Sequence, residues 1–305
     1  MLDLIKWAEA LSLATNEIEI IFGEPLREHT SFRIGGSARI FLRPFSEEAL
    51  CLAVKRCRLE EIPVYILGRG TNLLVSDQGV EGAVIDMTAL NHIRIEEDIM
   101  SLEAGALLSS AAKQAADASL CGLEFAHGIP GTLGGALVMN AGAYGEEIGH
   151  LVQFVRVLDE AGKIITHSRE EMGFGYRKSA LEERGEIVLS ASLKLAKGDR
   201  QQIEEKMRRL GEQRRAKQPL ESRSAGSSFK RPPGAFAGQL LEAAGLKGFA
   251  IGGASISDKH AGFVISDGSA TARDVYELCQ SVRRQVMENS GIMLEMEIKT
   301  WGSFE

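Results

Sequence analysis

Two glycine-rich segments hold the residues of this sequence best suited to binding a phosphate group. The first, Leu67–Leu74, follows an apolar run and contains Gly68 and Gly70. Because glycine has no Cβ, its backbone N–H groups can point at an anion without steric interference. The third glycine of the dinucleotide fingerprint is replaced by Leu73, and the chain has no P-loop motif. Taken alone, a plain turn between a strand and a helix explains this segment equally well.

The second segment, Gly128–Gly145, contains no Asp, Glu, Lys or Arg. It is long and apolar enough to raise the question of a membrane span, but its six glycines and Pro130 would make a poor lipid-facing helix. Tight helix packing through small residues is one interpretation, and a ligand loop that allows close backbone approach is another. Two such segments in one domain favour a large cofactor.

Charge and cysteine content restrict the class of protein. The 305 residues carry a net charge of -7 with a pI near 5.6, which argues against nucleic-acid binding and against an anionic membrane surface. The segment 200–231 is an exception, with ten Lys or Arg residues against four Glu. Local binding of a nucleotide diphosphate there is one interpretation, and a solvated helix face is the other. The four scattered cysteines predict reduced, mostly buried thiols and no metal site.

Hydrophobic periodicity predicts the elements that must position these segments. In the first two thirds, strands are expected at 64–67, 83–86, 99–103 and 187–195, a hairpin at 152–158 and 163–167, and helices at 1–14, 47–58 and 107–119. In the last third, helices are expected at 199–218, 235–244 and 272–289, with strands at 262–265 and 294–301. The alternation is typical of an α/β region followed by an α+β region. A boundary is expected after residue 198.

Six motifs occur in an order that resembles the UDP-N-acetylenolpyruvoylglucosamine reductase family nearly from end to end. They are residues 29–36 (HTSFRIGG), the two glycine-rich segments, 174–179 (FGYRKS), 225–232 (AGSSFKRP) and 259–263 (KHAGF). The resemblance implies an FAD-binding domain of the vanillyl-alcohol-oxidase type in two lobes and a C-terminal α+β substrate domain. The expected bounds are 1–98 and 99–198 for the lobes and 199–305 for the substrate domain. The lack of an extra Tyr-bearing loop after Gly145 is typical of the shorter family type.

The resemblance also implies roles for single residues. Residues expected at the FAD are Leu67, Gly68, Arg69, Gly70, Thr71, Asn72, Gly131, Thr132, Gly135, Asn140 and Gly142. Residues expected at the substrate are Tyr144, Tyr176, Lys217, Arg231, Gln239 and His260. The catalytic arginine, serine and glutamate of the family correspond to Arg177, Ser227 and Glu297. Two departures from the family pattern, Ser266 in place of Asn and Thr71 in place of Ser, retain a hydrogen-bonding group.

These three residue types fit the chemistry that the resemblance implies. Hydride addition to an enolpyruvyl group leaves enolate-like charge, which the planar and permanently charged Arg177 can stabilise. Ser227 can donate the proton, and Glu297 can orient the proton path or polarise the intermediate. Without the resemblance, Arg177 would be better explained as a solvated charge and Ser227 as a turn residue. Glu297 would be better explained as an exposed residue on a strand.

The resemblance implies non-covalent FAD, NADPH as co-substrate, a UDP-sugar substrate and a cytoplasmic monomer without membrane insertion. The N-terminal pattern predicts a short amphipathic helix and no signal peptide. One alternative is a sugar or lactone oxidase of the same fold with flavin tethered through His29 or His127. A second alternative is a nucleotide-sugar sensor that binds its ligand without catalysis.

Overall fold

The computed structural model describes residues 4–304 and combines helices with six small sheets. Its α-helices are α1 (Leu4–Ala14), α2 (Glu47–Leu59), α3 (Leu108–Asp117), α4 (Leu133–Val138), α5 (Ala180–Glu183), α6 (Arg200–Lys217), α7 (Ala237–Ala243) and α8 (Ala272–Ser290). The strands of the first half are β1 (Ile18–Pro25), β2 (Ser37–Pro44), β3 (Val64–Leu67), β4 (Leu73–Val75), β5 (Val80–Asp86), β6 (Ile93–Glu96), β7 (Ile99–Glu103), β8 (Leu120–Cys121), β9 (Gly142–Ala143) and β10 (Glu146–Glu147). The later strands are β11 (Val152–Leu158), β12 (Ile164–Ser168), β13 (Ile187–Lys194), β14 (Ala196–Lys197), β15 (Ala250–Ile251), β16 (Ala254–Ile256), β17 (Val264–Ser266) and β18 (Lys299–Trp301).

The described chain divides into two compact units, neither of which is continuous in sequence. Unit 1 comprises residues 4–22, 40–68 and 82–213, and unit 2 comprises residues 23–39, 69–81 and 214–304. The sequence-based domain bounds at 98 and 198 remain predictions.

A four-stranded sheet with the order β1-β2-β5-β3 contains a parallel pair. In this pair Val64 of β3 lies opposite Ala83 of β5, and the register continues to Leu67 opposite Asp86. Helix α2 precedes β3 and begins at Ser46, whose hydroxyl accepts a hydrogen bond from the Ala49 N–H. Its buried residues recur on one face, as the spacing of an amphipathic helix requires.

An antiparallel five-stranded sheet, with the order β12-β11-β13-β7-β6, forms the second layer of unit 1. Helix α3 contributes four buried alanines to the core of this unit: Ala111, Ala112, Ala115 and Ala116. Small side chains allow a helix to pack closely against its neighbours. Close packing through small residues is therefore a property of α3 as well as of the glycine-rich segment that follows it.

Unit 2 is built around helix α8. Its buried residues Val275, Leu278, Cys279, Val282 and Val286 repeat at helical spacing and belong to a second hydrophobic core. The antiparallel sheet β15-β16-β17 and the short parallel pair of β18 with β4 complete this unit.

Most predicted elements are confirmed, with shifts at their ends. The strands at 64–67 and 99–103 match the prediction, as does the hairpin of β11 and β12, and helix α8 ends within one residue of it. The N-terminal helix is present from Leu4, and the predicted residues 1–3 lie outside the described part of the chain. The strand predicted at 294–301 is wrong in extent, because only 299–301 pairs as a regular strand. Residues 294–298 instead exchange single bonds with a neighbouring loop, including an isolated bridge between Phe229 and Met296.

The cysteines are free thiols, as predicted. Cys57 and Cys279 are buried, and burial raises the pKa of each thiol to about 12, which leaves both protonated and unreactive at neutral pH. Within residues 4–304, no helix combines the length and the apolar composition needed to cross a membrane.

The start of α8 provides a stability test. The Thr271 hydroxyl accepts a hydrogen bond from Asp274 N–H at 3.0 Å, and the Asp274 carboxylate accepts one from Thr271 N–H at 2.9 Å. Replacing Thr271 by Ala removes half of this capping box, so we expect a cost of about 1 kcal/mol and a melting temperature lower by about 2–4 °C. Differential scanning calorimetry measures the shift. Thr300→Ala, at an exposed strand position, is the control, and equal shifts for both variants would contradict the capping role.

Candidate functional site

The first glycine-rich turn begins at the end of β3 and directly meets the second segment. Leu67 is buried, and a Cβ built on Gly68 would lie 2.4 Å from the hydroxyl oxygen of Thr132. Thr132 is itself buried and precedes the first residue of α4. The start of the first segment therefore meets the second segment within unit 1, and this approach requires glycine at position 68.

The continuation of the turn presents unused hydrogen-bond donors. Gly70 has a φ of 59°, and a Cβ there would lie 2.1 Å from the carbonyl oxygen of His29. The Gly70 carbonyl accepts a hydrogen bond from the Ser31 N–H at 3.1 Å. Gly70 is buried, and within residues 4–304 no protein acceptor binds the N–H of Arg69, Gly70 or Thr71. A buried amide without a partner is rare, and an anionic ligand at this turn would satisfy it.

Asn72 has a different role from the residues before it. Its side-chain Nδ2 donates to the carbonyl oxygen of Glu297 at 3.0 Å, and its own carbonyl accepts from the Lys299 N–H at 3.0 Å. These bonds fix the end of the glycine turn to the segment that carries Glu297. In unit 2 a predicted cofactor residue and a predicted catalytic residue are thus held side by side.

The second segment continues through α4 with an open face. Gly131 accepts a hydrogen bond from the Leu108 N–H at 3.0 Å, which anchors the start of the segment. Gly135 is exposed on the first turn of α4, and its nearest neighbour would be Thr132 Oγ1, 3.8 Å from a Cβ. The exposed backbone of Gly135 therefore lies beside Thr132, and no side chain at position 135 covers it.

After α4 the chain forms a small hairpin of β9 and β10, in which Ala143 pairs with Glu146. The two turn residues, Tyr144 and Gly145, have φ values of 58° and 86°, as a type I′ hairpin turn requires. Positive φ is uncommon for an aromatic residue, and the Tyr144 side chain is about half exposed. The Tyr144 hydroxyl donates to the Leu210 carbonyl of α6 at 3.1 Å.

Lys206 of α6 adds a second tie to this hairpin. Its Nζ lies 3.0 Å from Glu146 and 3.3 Å from the buried Glu124. Burial lowers the pKa of Lys206, but the hydrogen bond to Glu146 and the charge of Glu124 outweigh it, so the pKa is raised overall. Helix α6 therefore holds the hairpin with a permanent charge.

Arg177 lies in a turn whose two ends are bonded to each other. Gly175 N–H donates to the Lys178 carbonyl at 3.0 Å, and Lys178 N–H donates to the Gly175 carbonyl at 3.1 Å. Between them Arg177 has a φ of 52°, and its Nη2 donates to the Gly142 carbonyl of the hairpin at 3.2 Å. Its guanidinium also lies 5.2 Å from the centre of the Tyr176 ring. The predicted residues Tyr176, Arg177 and Gly142 are thus brought together in unit 1.

In unit 2, Ser227 and Glu297 are organised by the residue between them in space, Ser228. Ser228 is fully buried, its hydroxyl accepts from the Val264 N–H at 2.9 Å, and its carbonyl accepts from the Glu297 N–H at 2.9 Å. Ser227 forms an isolated bridge with Phe263. In residues 4–304 the Ser227 hydroxyl has no hydrogen-bond partner, which leaves it available to a ligand. Sequence reasoning did not identify Ser228, although it stands inside the quoted motif.

His260 is a neutral imidazole. Burial lowers the pKa of His260, and its Nδ1 accepts a hydrogen bond from the Gly262 N–H at 3.1 Å. The proton then resides on Nε2, which can donate to a ligand. A Cβ on Gly238 would lie 3.4 Å from the ring, so His260 lies beside the first turn of α7, where Gln239 is exposed.

The remaining predicted substrate residues are exposed cations of unit 2. Lys217 ends α6, and the neighbouring Arg215 carbonyl accepts from Lys259 Nζ at 2.6 Å, which places this helix end near His260. Arg231 stacks its guanidinium 4.6 Å from the centre of the exposed Phe236 ring. Arg177 belongs to unit 1, whereas Ser227, Glu297 and this group belong to unit 2.

Two protein-family models match this chain, over separate parts of the sequence. Residues 38–168 match the model of an FAD binding domain, and residues 218–301 match the C-terminal domain of UDP-N-acetylenolpyruvoylglucosamine reductase.

Curated relatives and solved structures agree. A UDP-N-acetylenolpyruvoylglucosamine reductase of Caldanaerobacter subterraneus subsp. tengcongensis is 48% identical over 94% of this chain and 95% of its own length. One from Streptococcus pneumoniae is 46% identical over 93% of this chain and 95% of its own length. The crystal structure of the Thermus caldophilus enzyme has a TM-score of 0.80 at 36% identity, covering 93% of this chain and 99% of that one. A glucose dehydrogenase, Phl p 4.0202, has a TM-score of 0.50 at 16% identity over 64% of this chain and 44% of its own, which shows a shared fold alone.

With both matched domains in order and relatives this similar along nearly the whole chain, the chain belongs to the UDP-N-acetylenolpyruvoylglucosamine reductase family and is an FAD-containing oxidoreductase.

Proposed function

We propose that this chain uses NADPH and bound FAD to reduce the enolpyruvyl group of UDP-N-acetyl-3-O-(1-carboxyvinyl)-glucosamine, which yields UDP-N-acetylmuramate for peptidoglycan synthesis. The name of its relatives supports the reaction class. The observations that support the proposal are, in unit 1, the Arg177 guanidinium bonded to the Gly142 carbonyl and, in unit 2, the Ser227 hydroxyl, which has no hydrogen-bond partner within residues 4–304. One group can stabilise negative charge, and the other can deliver a proton.

The turn that starts at Gly68 fits the pyrophosphate of FAD. Its unpartnered amides, at Arg69, Gly70 and Thr71, can donate to phosphate oxygens, while the Gly68 approach to Thr132 leaves no room for a side chain. When bound, FAD supplies a carrier that accepts hydride from NADPH and passes it to the substrate. His29 is bonded to Glu24 at 2.7 Å, a contact that accounts for this histidine without a flavin linkage.

Arg177 is proposed to stabilise the charge that develops on the substrate. Adding hydride to the vinyl group places enolate-like charge beside a carboxylate, and a planar guanidinium can bind both oxygens of such a group. Its bond to the Gly142 carbonyl orients the guanidinium. A guanidinium already oriented needs little reorganisation when charge appears.

Ser227 is proposed to donate the proton that completes the reduction. Glu297 is proposed to orient the proton path or to polarise the intermediate. The Ser227 hydroxyl is half-buried, and its backbone is held by the bridge to Phe263. Glu297 is fixed through Ser228 and through Asn72, as described above. A general acid held in this way contributes about 10²–10⁴-fold to rate.

The exposed cations of unit 2 are proposed to bind the UDP moiety. Lys217 and Arg231 carry charge that a diphosphate requires, and His260 offers a neutral donor at Nε2. Tyr144, Tyr176 and Gln239 remain predicted substrate contacts.

The proposal is tested first by spectroscopy of the purified protein. We expect a flavin absorption band that acid precipitation releases entirely into solution, because the FAD is held without a covalent bond. Anaerobic NADPH should bleach the band, and the enolpyruvyl UDP-sugar should restore it. Flavin retained in the pellet, or restored only by oxygen, would argue for an oxidase, and a band that NADPH does not bleach would argue for a sensor.

Ser227→Ala should separate the two half-reactions. Bleaching by NADPH needs no proton from Ser227 and should keep its rate, while reoxidation by the enolpyruvyl substrate should slow by at least about 10²-fold. Anaerobic stopped-flow absorption measures both rates. Ser37→Ala, at an exposed serine in unit 2, is the control. If bleaching slows and reoxidation does not, Ser227 is not the proton donor.

Arg177→Lys should also slow reoxidation while bleaching by NADPH is unchanged. Lysine keeps the charge but loses the planar fork, so we expect a loss of about 10-fold or more in the second half-reaction. The same stopped-flow experiment applies, with Arg169→Lys at an exposed site of unit 1 as the matched control. Full activity with lysine would show that charge alone is sufficient.

A further inference from the structure

The side chain of Asn140 is buried, with 1% of its surface exposed, and makes three hydrogen bonds inside unit 1. Its Nδ2 donates to Glu147 Oε2 at 2.8 Å and to the Gly175 carbonyl at 3.0 Å. Its Oδ1 accepts from the Gly149 N–H at 3.0 Å. Two acceptors on one side and one donor on the other fix the amide orientation, because the flipped amide would lose all three bonds.

These bonds leave little capacity for a ligand. Both N–H groups of the Asn140 amide are used, and the oxygen is engaged with a backbone donor. The expectation that Asn140 binds the cofactor through its side chain would require breaking a buried bond, which is costly. The structure points to a different use of this residue.

Asn140 connects the two segments that hold Arg177. Through Glu147 it anchors β10 of the Tyr144 hairpin, whose Gly142 carbonyl binds the Arg177 guanidinium. Through Gly175 it anchors the turn from which the Arg177 side chain extends. The backbone turn that carries Arg177 and the hairpin that binds its guanidinium are therefore both held by the Asn140 amide.

The residues packed around Asn140 support this linking role of its hydrogen bonds. A Cβ on Gly149 would lie 2.7 Å from Asn140 Oδ1 and 2.8 Å from the Phe174 ring, so glycine is needed for the three segments to meet. On the far side of the turn, the Ser179 hydroxyl donates to the Val138 carbonyl at the end of α4 at 2.9 Å. The Arg177 turn is consequently fastened at both ends.

We propose that Asn140 is a positioning residue that sets the orientation of Arg177 through Glu147 and Gly175, an inference that rests on the proposed role of Arg177. Asn140 contacts neither substrate nor flavin through its side chain. Displacement of a catalytic group by about 1 Å costs on the order of 10²-fold in rate. By holding Arg177 in position, Asn140 therefore affects the rate without contacting the reacting atoms.

The test is the isosteric change Asn140→Asp, which keeps the shape and reverses the polarity. Its carboxylate would face the carboxylate of Glu147 and the carbonyl of Gly175, and both contacts become repulsive. We expect reoxidation by the enolpyruvyl UDP-sugar to slow by about 10- to 100-fold per bound flavin. Bleaching by NADPH should stay within about threefold of the unmodified protein, since Arg177 does not serve that step.

Rescue distinguishes positioning from a general structural role. In Asn140→Asp combined with Glu147→Gln, the glutamine amide can donate to the new carboxylate, so we expect reoxidation to recover by at least about threefold over Asn140→Asp. Glu147→Gln alone completes the double-mutant cycle.

Asn91→Asp is the matched control, because within residues 4–304 Asn91 donates only to the Thr88 carbonyl at an exposed position of unit 1. If Asn140→Asp does not fold, Glu147→Ala, which removes one of the three bonds, should show the same selective loss at smaller size.

Hydrogen exchange provides a readout independent of activity. In the purified protein, Asn140→Asp should speed amide exchange in residues 174–178, whereas Asn91→Asp should not. Equal slowing of both half-reactions, lost flavin with normal rates per flavin, or unchanged exchange would overturn the positioning role. If the unmodified protein is not reoxidised by the enolpyruvyl UDP-sugar, the proposed function fails, and the exchange measurement alone then decides whether Asn140 holds the Arg177 turn.

Discussion

Close backbone approach at glycine is the constraint on which the functional regions of both units depend. In unit 1, Gly68 lets the first turn meet Thr132, and Gly149 lets the Asn140 joint meet Phe174. In unit 2, Gly70 lies against the His29 carbonyl at a distance that excludes any Cβ. A methyl group at any of these sites would require neighbouring atoms to move, because they belong to backbone or to side chains packed in the core.

Each unit also has a buried polar residue whose hydrogen bonds link neighbouring segments. Asn140 joins three segments of unit 1, and Ser228 joins two segments of unit 2 around Glu297. A satisfied buried bond adds only about 1 kcal/mol, but leaving one partner unsatisfied costs about 1–3 kcal/mol. This asymmetry makes such residues effective joints, since alternative arrangements of the loops would lose bonds that water cannot replace.

The hydrogen bonds of Asn140 and Ser228 lie next to residues that the sequence predicts to be functional. The Arg177 guanidinium donates to the Gly142 carbonyl, and burial lowers the pKa of His260, which favours the neutral imidazole. The Ser227 hydroxyl has no partner in the described part of the chain, whereas the hydroxyl of the neighbouring Ser228 accepts a hydrogen bond from the Val264 N–H. The adjacent serines thus differ: Ser228 bonds to neighbouring segments of unit 2, and the Ser227 hydroxyl bonds to no residue within 4–304.

The sequence by itself determined the local elements and the family. The capping box of Thr271 and Asp274 and the β11–β12 hairpin follow from residues that are near one another in the chain, and the family motifs are likewise short and local. Only the tertiary structure decided which loops meet. The contacts of Gly68 with Thr132 and of Asn72 with Glu297, together with the bonds of Asn140, join residues whose separation leaves no periodic signal. The strand predicted at 294–301 failed for the same reason, because strand pairing depends on a partner that local pattern does not specify.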